Sequence, residues 1–366
     1  MRLGTHLKVR LFCALSGRCQ HGGAAQLDDI AMFGAAGRAS VGGTIESVSV
    51  DLVAVGRLVR APAPARISPD EYEGAHRGII AEAQSRRNGG KEVALERVET
   101  HLGAVAYRRA GAGDPLVLLH GGMSDGRSWT PQLDSLAHEY DVIAWDAPGC
   151  GGSADPPADF RLADYADAVA ALVRALGLGP VHLAGHSFGA GLAINVYGRH
   201  RQLVRSLVLS GAYAGWRGSL PPAEVEARVS RALAELARPP AEWVDGYLAG
   251  FFGRSVPLET LAAARGMMLE VRPAGVRSMV TAFADADLRS VLPRIAVPTL
   301  LIYGAEDVRA QREVAEALHG AIPGSRLILV PAAGHDVNLE APDKYDAAVR
   351  AFLRGETEAR RGKQRE

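Results

Sequence analysis

Cysteine is scarce in this chain: 366 residues contain only Cys13, Cys19 and Cys150. Only Cys150 falls in the part of the chain that carries motifs, so that part has no internal disulfide. A reducing cytoplasm suits this, and a disulfide-free secreted protein is also compatible. Cys13 and Cys19 with His21 lack a second pair of ligands at finger spacing and sit in Gly/Ala-rich sequence, which argues against a metal site. Charge of one sign is also lacking. The 41 Lys and Arg balance the 41 Asp and Glu, so no basic excess recommends a nucleic-acid partner and no acidic tail stands out. Long apolar runs are missing too: nothing approaches the about 18 residues that a membrane span needs. The stretch from Leu11 to Leu15, behind Lys8 and Arg10, is short for a signal peptide, and Arg18 interrupts it. These absences lead us to expect a cytoplasmic protein with no nucleic-acid partner and no membrane partner.

What is present describes an ordinary globular protein, with 48% hydrophobic and 22% charged residues, long enough for one large domain with appendages. Residues 1–90 are rich in Gly, Ala and Arg and include the linker Ala61-Pro62-Ala63-Pro64-Ala65, which reads as an extension and not as a domain. Within it, valine-rich 45–59 suits a strand. Ser68-Pro69-Asp70-Glu71 suits a capped helix start, running to about Arg87 and stopped by Gly89-Gly90. The alternative reading is a largely disordered segment or a misassigned start, with Met32 as another initiator.

From residue 91 the pattern changes to short apolar runs alternating with helical periods, as in a βαβ sheet. We expect a domain over 91–355, followed by a charged tail over 356–366. The expected strands are 93–98, 104–109, 116–119, 142–145, 181–184, 204–209, 299–303 and 327–330. A helix is expected over 162–176, where Tyr165, Val169, Leu172, Val173 and Leu176 recur at helical spacing before Gly177. Between Leu209 and Thr299 helical stretches replace strands, which reads as a helical lid over 212–292. Its Trp216, Trp243, Tyr247, Phe251, Phe252, Met267, Met268, Met279 and Phe283 are expected mostly to form lid core, because amphipathic helices need such stripes to fold.

Gly185-His186-Ser187-Phe188-Gly189 matches G-x-S-x-G directly after a buried strand and directly before a helical pattern. There a serine sits on a sharp strand-to-helix turn that its glycines permit, which makes Ser187 a candidate nucleophile. Upstream, His120-Gly121-Gly122-Met123 follows the strand at 116–119. The amide of Gly122, with Met123 as the alternative, would join that of Phe188 as an oxyanion hole, and His120 reads as a structural hydrogen-bonder. Downstream, Gly304-Ala305-Glu306-Asp307 places carboxylates just past one strand, and Gly334-His335 places an imidazole just past another. In open α/β sheets sites lie at those carboxyl ends, so His335 could take the proton of Ser187 while Asp307 or its neighbour Glu306 orients it. Asp336, His182 and His186 read as structural. Asp146-Ala147-Pro148-Gly149-Cys150-Gly151-Gly152-Ser153 reads as a tight turn near the site, since its glycine spacing is not that of a phosphate loop.

Together these segments, His120-Gly121-Gly122, Asp146 with Pro148-Gly149 and Gly151, the Ser187 elbow, Gly304 with Asp307 and Gly334-His335, resemble the α/β-hydrolase superfamily. The resemblance is to its lid-bearing branch of esterases, lactonases, haloperoxidase-like enzymes and C–C bond hydrolases, and covers about 93–353. It implies an α/β fold with an eight-stranded, mostly parallel sheet flanked by helices, a lid after the sixth strand, and Asp307 rather than Glu306 as the acid of a Ser187–Asp307–His335 triad. It also implies a small-molecule substrate and no cofactor, in a monomer or homodimer. The expected activity is hydrolysis of a small to medium apolar carboxylic ester or lactone through an acyl-enzyme on Ser187. Alternatives are a C–C bond hydrolase, against which His186 argues because those enzymes often carry asparagine there, and an acyltransferase or perhydrolase. A receptor or scaffold of the same fold is the non-enzyme alternative, against which the intact triad argues.

Overall fold

A strand that is apolar at consecutive positions needs cover on both faces, and several of the expected strands are of that kind. In the computed structural model, which describes residues 93–253 and 256–363 with side chains as far as Gly355, they form the middle of an eight-stranded sheet. The expected strand at 45–59, the helix from Ser68 to Arg87, and Cys13, Cys19 and His21 lie outside the described residues.

The strands are β1 (Leu95–Thr100), β2 (Gly103–Ala110), β3 (Asp114–Leu119), β4 (Tyr140–Trp145), β5 (Val181–His186), β6 (Val204–Ser210), β7 (Thr299–Gly304) and β8 (Arg326–Val330). Their order is β1-β2-β4-β3-β5-β6-β7-β8. β2 runs antiparallel to β1 and β4, and every other pairing is parallel. β4, β5 and β7 are buried at every residue. β1 begins at Leu95 and not at 93; it is the mostly exposed edge, where no buried face registers the start of a strand.

The helices are α1 (Thr130–Leu136), α2 (Leu162–Ala175) and α3 (Phe188–His200), then α4 (Trp216–Ser219), α5 (Pro222–Leu236), α6 (Val244–Leu248), α7 (Leu258–Leu269) and α8 (Pro273–Ala284) between β6 and β7, and finally α9 (Arg312–Ala321), α10 (Val337–Glu340) and α11 (Pro342–Lys363). The end of α2 follows from its sequence: Gly177 at φ +65 lets Leu178 donate to Val173 O and Gly177 to Arg174 O. This is the left-handed cap that glycine favours. α11 continues to Lys363, through most of the segment expected as a charged tail.

Because side chains alternate along a strand, each central strand feeds two cores. Val117, Leu119, Ile143, Trp145, Leu183, Leu207 and Leu301 pack with α2, α3 and α9. Their neighbours Leu116, Leu118, Val142, Ala144, Ala184, Val208 and Leu300 pack with α1 and α11 on the other face. Truncating one such leucine to alanine costs about 2–5 kcal/mol, a large part of a domain's net stability of about 5–15 kcal/mol. The helical insertion has a third core, from Leu236, Trp243, Val244, Leu248, Ala264, Met267 and Met268 among others, which Met123 joins from the loop after β3. α8 adds Met279 and Phe283 to the first core, so the insertion is anchored beside the carboxyl end of β3 and the start of α3.

Candidate active site

Ser187 is the single residue between β5 and α3, and its backbone sits at φ 51, ψ −111. A non-glycine residue there carries strain of about 1–3 kcal/mol, which the surroundings must hold in place. They do so through the Ser187 amide, which donates to Ser210 O at 2.8 Å, and the Ser187 carbonyl, which accepts from the amides of Ala190 and Gly191 at 3.1 Å. Both flanking glycines are sterically required: a Cβ on Gly189 would lie 2.1 Å from Leu119 O, and one on Gly185 would lie 2.2 Å from Gly189 O.

Past the end of β7, Asp307 Oδ2 lies 2.7 Å from His335 Nδ1, and both side chains are sealed from solvent. Asp307 Oδ1 accepts from the amides of Arg309 at 2.8 Å and Ala310 at 2.9 Å. Burial pushes the Asp307 carboxyl up, but the attraction of His335 and these hydrogen bonds outweigh it and hold it below the usual carboxylate value. An ionised Asp307 makes Nδ1 the donor, so the His335 Nε2 carries the lone pair. Burial lowers the pKa of His335, with Asp307 restoring part of the loss. Nε2 is buried without a hydrogen-bond partner. The His335 ring stands 4.8 Å from that of His186, the residue before Ser187. No hydrogen bond joins Ser187 to Nε2; such bonds are often long until a substrate compresses the site. Glu306, the neighbouring carboxylate, is exposed.

Around this centre the other motif residues hold loops. His120 Nδ1 is 2.7 Å from Gly121 O and its Nε2 accepts from the Ala147 amide at 2.9 Å, so one neutral tautomer ties the loop after β3 to the loop after β4. Burial favours that neutral form by lowering the pKa of His120. Asp146 accepts from the amides of Gly126 at 2.8 Å and Gly152 at 2.7 Å, closing the glycine-rich turn. His186 and Asp336, each expected to serve locally, meet each other, with Nε2 2.6 Å from Oδ1.

Ser187, Phe188, Gly122 and Met123 all line one cleft that encloses about 540 Å³, the solvent at its mouth included. Met123 has φ 61 and is buried, and Gly122 has open space where a Cβ would be. Of the aromatic and methionine side chains expected to form lid core, Trp216, Tyr247, Phe251, Met279 and Phe283 line this cleft. Trp243, Met267 and Met268 instead pack in the core of the insertion. The residues expected as lid core do pack in cores, and part of the same stripe also presents a face to Ser187's cleft.

Two cleft residues carried no functional signal in the sequence, Arg228 and Arg309. Arg228 reads as a solvated partner of Glu224 one helical turn away, and that ion pair is present at 2.7 Å. Arg309 had only its place two residues after Asp307 to recommend it. Among the described residues no group of three or more His, Cys, Asp or Glu side chains is arranged to hold a metal, and no helix is long and apolar enough to cross a membrane. Cys150 is buried and free.

The chain is similar to several known proteins. A curated relative, the (E)-2-((N-methylformamido)methylene)succinate hydrolase of Acinetobacter baylyi, is 33% identical over 253 residues, which are 68% of this chain and 93% of that protein. The human serine hydrolase BPHL is 30% identical over 269 residues, 72% of this chain and 85% of that one. Among solved structures, a thermophilic esterase from Thermogutta terrifontis superposes with a TM-score of 0.67 at 27% identity, covering 72% of this chain and 99% of its own. The model of the alpha/beta hydrolase family matches residues 116–348, a span that holds the elbow serine, the buried Asp307–His335 pair, most of β3 and all of β4 to β8. With strand order, elbow and family match in agreement, this chain belongs to the alpha/beta hydrolase family.

Proposed function

We propose that the protein is a serine hydrolase that cleaves a small to medium carboxylic ester or lactone through an acyl-enzyme on Ser187. The observation that carries this reading is the buried Asp307–His335 contact of 2.7 Å, whose free Nε2 stands beside the elbow. In the reaction, Ser187 Oγ attacks the substrate carbonyl and His335 Nε2 takes its proton. His335 then protonates the departing alcohol as the ester C–O bond breaks. Water, deprotonated by the same nitrogen, attacks the acyl-enzyme, and the product acid leaves with Ser187 restored. Asp307 fixes the tautomer and stabilises the imidazolium. The amides of Phe188 and of Gly122 or Met123 stabilise the oxyanion, each donor of this kind typically supporting about 10²–10³ in rate.

The helical insertion acts as a lid: its Phe251, Val276, Met279, Val280 and Phe283 supply most of the apolar wall. Mass spectrometry of the protein quenched during turnover of p-nitrophenyl butyrate tests the mechanism. A butyryl adduct on the peptide bearing Ser187 is expected; turnover with no adduct, and no burst of nitrophenol, would argue for direct attack by water.

A further inference from the structure

The cleft is apolar over most of its wall, yet two guanidinium groups reach it. Arg309 lies with its guanidinium carbon 4.2 Å from the Phe251 ring centre and 5.7 Å from that of Tyr247. Its amide serves Asp307, and among the described residues its guanidinium makes no direct hydrogen bond or ion pair, although the Asp336 carboxylate attracts it from farther off. Burial draws its pKa down. Arg228 stands behind it. Arg228 Nη2 donates to Arg309 O at 3.0 Å and Nη1 to Tyr213 Oη at 3.1 Å, while Glu224 takes its remaining charge on the outer side. One of the two cations is therefore in direct contact with a carboxylate, and the other, Arg309, has no direct partner within the cleft that holds Ser187.

A guanidinium presents up to five donors in a planar fork that matches a carboxylate, and in a poorly hydrated setting an unanswered one is costly. The aromatic faces of Phe251 and Tyr247 hold its plane without using those donors. We propose that Arg309, backed by Arg228, receives a free carboxylate at the far end of the substrate, so that the preferred substrates are half-esters of short dicarboxylic acids and not neutral esters. This rests on the serine hydrolase reading and adds a charged end to the apolar ester expected from the sequence. Ser187 and Arg309 line the same cleft, so the ester carbonyl and the free carboxylate of one substrate would both face it.

Monomethyl glutarate and dimethyl glutarate differ at the far end in charge and one methyl group, and their kcat/KM ratio is the readout. Wild type is expected to favour the monoester by about tenfold or more, the scale of a charge-assisted hydrogen-bond pair. In Arg309→Met the ratio should fall to near one, with Arg309→Lys between them. A wild-type ratio near one, or a ratio unchanged in Arg309→Met, overturns the proposal and leaves Arg309 as packing. Calorimetry on Ser187→Ala protein separates the two readings, because it needs no turnover. There the monoester should bind at least about tenfold tighter than the diester, and the added Arg309→Met change should abolish the difference. Equal binding sinks the carboxylate subsite even if the enzyme is a serine hydrolase. Tighter monoester binding by a protein that never acylates sinks the mechanism and keeps the subsite.

Discussion

The amide of His335 donates a hydrogen bond of 2.7 Å to the carbonyl of Phe251, so the loop that carries the imidazole is hooked to the helical insertion. The link is reinforced by Glu340, whose carboxylate accepts from the amides of Gly253 at 2.7 Å and Gly334 at 2.9 Å. The segment that shapes the cleft and the segment that aims the base are thus held as one unit. Phe251 contributes to both, through its carbonyl to His335 and through its ring to the cleft wall.

Removing the Glu340 carboxylate should loosen that unit. Glu340→Ala is expected to cost about 1–3 kcal/mol of stability through the loss of its charge-assisted hydrogen bonds. It should also lower kcat more than it raises KM, since the base and not the pocket floor is displaced. Glu340→Gln, which keeps an acceptor oxygen, should fall between. Urea denaturation with steady-state kinetics checks this; wild-type stability and kcat in Glu340→Ala would contradict it.

Burial and contact favour Asp307 over Glu306 as the acid of the proposed triad. Asp307→Asn should reduce kcat by about 10³–10⁴, because the amide no longer enforces the Nδ1–H tautomer. Glu306→Gln, at an exposed position, should keep kcat close to wild type. The reverse result would transfer the role to Glu306.

The pH profile follows from the sign of the His335 shift. A general base works in its neutral form, and burial lowers the pKa of His335 from 6.5. With His335 as the proposed base, activity should therefore be retained as pH falls to 6.5 and be lost below it, as Nε2 takes up a proton. Asp307, held below 3.8, stays ionised across that range. The profile of kcat/KM against pH for a neutral ester should show its acid limb below pH 6.5; a limb centred above 7 would show that another group controls the rate.

At the elbow, Gly189→Ala places a Cβ 2.1 Å from Leu119 O and 2.6 Å from His120 O, both backbone atoms. Relief requires α3 to move off the end of β3, and overpacking of this kind costs about 1–3 kcal/mol or more. Thermal unfolding should register the loss, together with a fall in ester turnover. A fully stable and active Gly189→Ala enzyme would mean that the elbow is looser than drawn.

Much of this architecture is legible in the residues because buried parallel strands leave an unmistakable trace. β3 and β5 are apolar runs closed by His-Gly-Gly and G-x-S-x-G, and the turn chemistry there places Ser187 at the carboxyl end of a strand without coordinates. β1 is legible only loosely, since an exposed edge strand has no alternation to register its start. Arg228 and Arg309 are invisible for another reason. An arginine one turn from a glutamate on an amphipathic helix looks like any solvated ion pair, and only the fold of α5 against the loop after β7 turns it toward Ser187's cleft. The pairing of His186 with Asp336 is hidden likewise, because His186 ends β5 and Asp336 lies beyond β8, and the two converge only in the folded chain.

The central claim is that Ser187 is an activated nucleophile. Labelling with a fluorophosphonate probe, read by mass spectrometry, tests it most directly. The account predicts rapid stoichiometric labelling of wild type on Ser187, labelling greatly slowed in His335→Ala, and none in folded Ser187→Ala. Labelling that persists in Ser187→Ala, or a folded wild-type protein that the probe leaves untouched, would contradict it.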